Sequence, residues 1–370
     1  MHRGDTMRGN QSPRALALLL LLAASPLRSQ TPACDPLSQP QCFAWQTFAQ
    51  VGANPGPATA IAGWENWPSF GNVFTAAGPQ CAVAADGTPP PPKVFITSRE
   101  TLPEHARKGI HIAAPTDLAT AQDTEIRYSV LACQEIASSG IWRQADAKQP
   151  SGLDAVFNDA SKAKNSAFSL KVDPGLVVVK AKWRNAGAAC DSTQFRCYWD
   201  RTNWWQLIAF HIASRALPNW FWATWEHASL AKSDPYLLND PFGSQNGAAS
   251  PAVKALLTTA KMDPVWLNYR LIGTQVSYLK PDNTPYILAN SSIEPGGGRP
   301  DSCMTCHARA AYGPNVTTLA FDDENGKGYV GTPCKSWYWT GNTLVRAQTD
   351  FLWTALDSML GGLARPACSN

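Results

Sequence analysis

The sequence predicts an α+β protein: a mixed, loop-rich body with several antiparallel strands and a few helices. Three observations carry that prediction. Short runs that alternate apolar and polar residues, or are dense in aromatics, recur through the middle of the chain. Apolar residues at helical spacing are confined to a few segments. Pro (29) and Gly (26) are frequent, which implies many turns between the elements. At 370 residues the chain is ample for a buried core, and a charged fraction of only 16% argues against disorder.

The elements follow in order. "CFAWQTFAQV" (42–51) reads as an amphipathic helix, with Trp45, Phe48 and Ala49 toward one side. Residues 52–92 are rich in Gly, Pro and Ala and read as a loop-dominated region anchored by Trp64, Trp67 and Phe70. "KVFITS" (93–98) is a short strand. "TEIRYSVLACQEIASSGIW" (124–142) is a strand followed by a helix. "GLVVVKAKWRN" (175–185) is the clearest strand, with Val179, Ala181 and Trp183 on one face and Lys180, Lys182 and Arg184 on the other. "WWQLIAFHIAS" (204–214) is an apolar run too short to fix as a helix. The aromatic density of "PNWFWATWEHASL" (218–230) favours a strand. "SPAVKALLTTAK" (250–261) reads as a helix, with Ser250 as N-cap and Pro251 in the first helical position. Residues 265–279 and 286–294 flank "KPDNTP" as a hairpin-like pair. "LVRAQTDFLWTALDSML" (344–360) has Leu344, Ala347, Phe351, Leu352, Ala355 and Met359 at helical spacing and predicts an amphipathic helix.

Residues 1–29 read as an export signal: Arg3, Arg8 and Arg14, then the apolar run "ALALLLLLAA" (15–24), too short to span a membrane. No later segment carries 18 consecutive apolar residues, so no integral membrane segment is expected in the mature chain. There is no clean linker, so residues 30–370 are expected to form one body, undivided or as two lobes (30–190 and 191–370). Removing the signal takes away four Arg and one Asp. The formal charge falls from +3 to about zero, 27 basic against 27 acidic residues, and gives a nucleic-acid partner no electrostatic support.

Ten cysteines in an exported chain are expected to pair. Setting Cys303 and Cys306 aside, proximity suggests Cys34–Cys42, Cys81–Cys133, Cys190–Cys197 and Cys334–Cys368. The two set aside belong to "DSCMTCHARA", where Cys303, Cys306 and His307 have the spacing C-x-x-C-H. Two thiols at that spacing suit the two vinyl groups of one porphyrin, and a His following at once can lie under the iron. Zinc would want a second pair of ligands, and Cys334 and Cys368 are isolated. A thioredoxin-type pair would want a strand before it, where "GGGRPDS" stands. A plain disulfide leaves His307 without a reason. The expected cofactor is one covalent haem c, with His307 as the proximal iron ligand.

Only 63 residues follow His307, so the haem is expected to sit near the C-terminal part of a larger body rather than on an appended small cytochrome. Candidates for the sixth iron ligand are His227, His211 and Met359. His227 and His211 double as candidates for an acid-base role toward bound oxygen or peroxide. His227 ends an aromatic run and would share a strand face with Phe221, Ala223 and Trp225, a possible porphyrin wall. Packing is the competing role for all three. His105 and His111 lie in a polar loop. Lys180, Lys182 and Arg184 could neutralise haem propionates or form a solvated strand face.

"FAWQTFAQVG", "VVVKAKWRN", "LIAFHIASRALPNWFWATWEHASL" and "SSIE" with "DSCMTCHARA" together resemble a family of exported bacterial proteins with one c-type haem, in patches from about residue 42 to 355. The resemblance implies a location and a cofactor, a single mixed body, and some added weight for His211 and His227. It does not imply a reaction. The expected function is electron transfer in the periplasm, with a redox partner protein or a small-molecule electron donor or acceptor. One alternative is a haem enzyme, peroxidase-like or oxidising a small molecule, with an open distal site. Another is a disulfide-stabilised exported binding protein without haem, periplasmic or secreted like the first two.

Overall fold

The alternation in "VVVKAKWRNAG" builds the centre of the molecule. In the computed structural model, which describes residues 33–53, 61–75, 77–83, 122–143, 151–164, 167–245, 248–293, 301–313 and 330–352, this segment is a strand of a six-stranded sheet. The strands in chain order are β1 (Gln122–Tyr128), β2 (Ala167–Phe168), β3 (Val177–Gly187), β4 (Cys197–Trp199), β5 (Trp204–Ser214) and β6 (Phe221–His227). They continue with β7 (Ser244–Gln245), β8 (Ala248–Ala249), β9 (Tyr269–Gln275), β10 (Ala311–Tyr312), β11 (Trp339–Thr340), β12 (Thr343–Leu344) and β13 (Ala347–Thr349). The main sheet runs β1-β3-β5-β6-β9, with β4 paired to β5, and every pairing in it is antiparallel. A small sheet, β10-β13-β2, joins three segments distant in the chain. Helices complete the mixed α+β architecture, and residues Cys34–Asn370 gather as one compact unit.

The sheet separates two cores. Val179, Ala181 and Trp183 of β3 point to one side, where they meet Phe210, Trp225 and the helix Pro40–Gly52. That helix starts at Pro40, whose missing N–H costs nothing in the first turn. It buries Ala44, Trp45, Phe48 and Val51 at helical spacing. The other side of the sheet carries Val178, Ala213 and Trp222, and packs against the segments around residues 303–312 and 334–352.

Several sequence expectations meet this architecture directly. The strand and helix of 124–142 are β1 and the helix Val130–Ser139, capped by Ser129, whose hydroxyl accepts from the Ala132 N–H. Residues 204–214 and most of 218–230 are strands, β5 and β6. Ser250 caps the helix Pro251–Thr259 through the Val253 N–H. The turn at 280–285 exists, closed by the Leu279–Pro285 bridge, but the chain beyond Tyr286 leaves its neighbour and reaches Ser302 instead. "KVFITS" lies outside the described residues.

The helix expected over 344–360 is not found in its described part. Residues 343–344 and 347–349 are strands, and Asp350 and Phe351 have positive φ, incompatible with a continuing helix. The apolar residues are indeed buried: Leu344, Ala347, Phe351 and Leu352 all lie in the core. The backbone of 347–349 pairs with residues 167–168 and 311–312, and that of 343–344 with 339–340, which the local pattern could not show. Residues 353–360 lie outside the described part.

Three expected disulfides are present, Cys34–Cys42, Cys81–Cys133 and Cys190–Cys197. Cys334 is also disulfide-bonded, and its expected partner Cys368 lies outside the described residues. Among the described residues no helix is long and apolar enough to cross a membrane.

Candidate functional site

Ser302 starts a six-residue helix, Cys303–Ala308, by accepting the Thr305 N–H on its side-chain oxygen at 3.1 Å. At i, i+3 and i+4, Cys303, Cys306 and His307 fall on one half-buried side of this helix, while Met304, Thr305 and Ala308 are buried. Cys303 and Cys306 carry thiols and take part in none of the disulfides.

The helix is fixed to the main sheet through β9. The Gln275 side chain donates to Ser302 Oγ at 2.7 Å and accepts the Met304 N–H at 3.1 Å. The Cys303 N–H and Sγ both donate to the Leu288 carbonyl, at 3.0 and 3.2 Å. Leu288 can lie this close because β9 carries Gly273 there. A Cβ at that position would come within 2.9 Å of Leu288 Cδ1 and 2.8 Å of Leu238 Cδ1. A second set of bonds holds the C-terminal end: Tyr338 Oη donates to the Ala308 carbonyl at 2.6 Å, and the Thr349 N–H to the Ala310 carbonyl at 2.7 Å.

The His307 ring packs on Trp222 of β6, ring centres 4.5 Å apart. Its Nδ1 lies 2.7 Å from the Phe351 carbonyl oxygen. A carbonyl only accepts, so Nδ1 carries the proton and the ring's lone pair is on Nε2. That tautomer is the one required for Nε2 to ligate iron, with the carbonyl as the outer partner. Two thiols and a correctly protonated imidazole on one side of a single short helix therefore fit covalent haem c.

Charge gathers beyond the helix. Arg309 stacks over the Trp337 ring at 4.1 Å, and Arg346 donates to the Trp337 carbonyl at 3.1 Å. Both are buried, and burial lowers the Arg346 pKa from its ordinary value. Asp350, next to Phe351, accepts from Arg215 and from the Leu170 N–H. Burial pushes its carboxyl up to about 6, against the pull of the Arg215 charge.

The histidine candidates separate. His227 shares its strand face with Phe221, Ala223 and Trp225, as expected, but that face belongs to the core on the far side of the sheet from Trp222 and His307. Both its ring nitrogens are engaged: Nε2 with the Gln194 carbonyl at 3.0 Å and Nδ1 with Ser229 Oγ at 2.7 Å. Phe195 stacks on the ring at 3.8 Å, and burial lowers its pKa. With Nε2 donating and Nδ1 accepting, no lone pair is left for a metal. His211 points to the same side as Trp222, because it pairs with Thr224 while Ala213 pairs with Trp222. It thus lies one diagonal step across the sheet from Trp222. Met359, His105 and His111 lie outside the described residues.

Lys180, Lys182 and Arg184 do not form a solvated face. Lys182 is only 5% exposed, and the other two are half-buried on the motif's side of the sheet. Nothing local marks Trp222, Gln275, Leu288 or the Phe351 carbonyl as neighbours of the motif, since all are brought in by pairing over long chain distances. Arg309, two residues after His307, was the one neighbour a local reading could have flagged.

No family model, curated protein or solved structure matches this chain.

Proposed function

We propose that this chain is an exported c-type haem protein that transfers electrons in the periplasm. The observation that carries the reading is the His307 ring, held in the Nε2-ligating tautomer by the Phe351 carbonyl, with Cys303 and Cys306 on the same side of its helix. Cys303 and Cys306 would hold the porphyrin through thioether links, and His307 would hold the iron through Nε2. Bound there, the haem supplies a one-electron ferric/ferrous couple. Trp222 walls one side of the imidazole, and Arg309 and Arg346 provide positive charge on the C-terminal side of the helix for porphyrin carboxylates. The disulfides and the N-terminal signal pattern support export.

The test is the absorbance of purified, denatured protein. A retained haem spectrum is expected, because thioethers survive unfolding; loss of all colour would leave the haem-free binding protein. A second reading, a haem enzyme with an open sixth position, draws support from His211, which lies on the motif's side of the sheet. Carbon monoxide on the ferrous protein and cyanide on the ferric protein separate the two. An unchanged spectrum indicates six-coordinate electron transfer, and a rapid change indicates the enzyme.

A further inference from the structure

The carbonyl that receives His307 sits in unusual backbone. Asp350 and Phe351 adopt φ of 49° and 65°, the left-handed region that glycine favours and other residues rarely adopt. Such a turn persists only if its surroundings hold it. Asp350 Oδ2 accepts the Arg215 Nε–H at 3.1 Å and the Leu170 N–H at 3.0 Å, and both charged side chains are 2% exposed or less. Arg215 is in turn fixed by donating through Nη1 to the Leu217 carbonyl and through its own N–H to the Leu176 carbonyl. On the other side, Thr349 grips the Ala310 carbonyl with both its N–H and its hydroxyl. A buried ion pair is a weak source of stability, since its desolvation offsets its attraction, so a role in fixing conformation better explains its presence.

We propose that the buried Arg215–Asp350 pair is a positioning device that holds the Phe351 carbonyl on His307 Nδ1 and so sets the orientation and donor strength of the proximal imidazole. This rests on the haem reading above. An Nδ1–H held on a carbonyl raises the basicity of Nε2 and favours the ferric state. Loosening the turn therefore raises the midpoint potential.

The experiment compares wild type with Asp350→Asn, Arg215→Lys and Arg196→Lys, by redox titration and by nitrogen NMR of the His307 ring. Asp350→Asn is expected to give a roughly tenfold higher ratio of ferrous to ferric protein at a fixed solution potential, a rise of about 59 mV for one electron. Arg215→Lys keeps the charge and loses the planar fork; a smaller rise is expected, and it carries the test where Asp350→Asn does not fold. Arg196→Lys weakens another buried ion pair, with Glu65 on the aromatic side of the sheet, and a wild-type potential is expected. Folded Asp350→Asn and Arg215→Lys with wild-type potential and ring tautomer would overturn the proposal. So would a shift in Arg196→Lys as large as that of Arg215→Lys, which would make the effect a general consequence of loosening a buried ion pair. If the purified protein carries no haem, the haem reading fails by itself. The tautomer in that same protein then decides the positioning role: Nδ1–H in wild type and a mixture in Asp350→Asn support it, and the same tautomer in both overturns it.

Discussion

The two faces of the main sheet are built on different principles. One is an aromatic core. Phe210 stacks on Trp225 at 5.2 Å, nearly parallel, and Phe48 touches Phe210, Trp225 and Trp266 at 5.1 to 5.6 Å. Both sides bury polar groups: the ion pairs Glu65–Arg196 and Glu125–Arg127 lie on the aromatic side, and Lys182, His211, Thr224, Glu226 and Asn290 on the side that receives the C-x-x-C-H helix. A histidine on the first face, His227, is stacked and hydrogen-bonded on both nitrogens. On the second face, His307 has its Nδ1 proton fixed and its lone pair on Nε2. The two histidines thus lie on opposite sides of the sheet, His227 within the aromatic core and His307 on the side of the C-x-x-C-H helix.

Breaking each face should have a different signature. The largest expected effect is on the motif side. Replacing Cys303 and Cys306 together by Ser should abolish the colour of the denatured protein while the circular dichroism of the sheet persists. On the aromatic side, Trp225→Ala should cost about 3–5 kcal/mol in denaturant unfolding without changing the haem spectrum of the folded fraction. A spectral change there would mean the two faces are not independent.

Glu226 sharpens the comparison through pH. It is fully buried on the motif side, takes a short hydrogen bond from Ser292, and has a second carboxyl oxygen with no hydrogen-bond partner. Burial, with the Asp234 charge adding to it, raises its pKa from 4.5 to about 7. The protonated form is therefore favoured by the fold. Its contribution to stability is full below about 4.5 and is lost as pH rises through about 7. The loss amounts to at most ~3 kcal/mol. Glu226→Gln should flatten that decline, as read from unfolding free energies on either side of this window; an unchanged slope would show that Glu226 is not the group responsible. The smallest effect belongs to His227. His227→Gln should cost ~1–2 kcal/mol through its lost hydrogen bonds and leave the iron's spin state untouched. His211→Gln tests the opposite expectation of the second reading, a change of spin state.

What was legible in the sequence depended on how local its cause was. Alternation made β3 readable because side chains alternate between the faces of any strand. Ser250 and Pro251 announced a helix start because capping is satisfied within one turn. Disulfides across eight and seven residues, Cys34–Cys42 and Cys190–Cys197, were readable for the same reason. The spacing of Cys303, Cys306 and His307 was legible too, since positions i, i+3 and i+4 share one side of any helix. By itself, then, the sequence determined the mixed fold class and three of the cysteine pairs. The tertiary structure decided the rest: that 347–349 forms a strand with residues 311–312 and 167–168, that His227 and His307 lie on opposite faces, and that Phe351 accepts the proton of His307. Each of these is a contact between segments tens to hundreds of residues apart, whose free energy comes from pairing and burial in the folded chain and leaves no periodic trace in either segment alone.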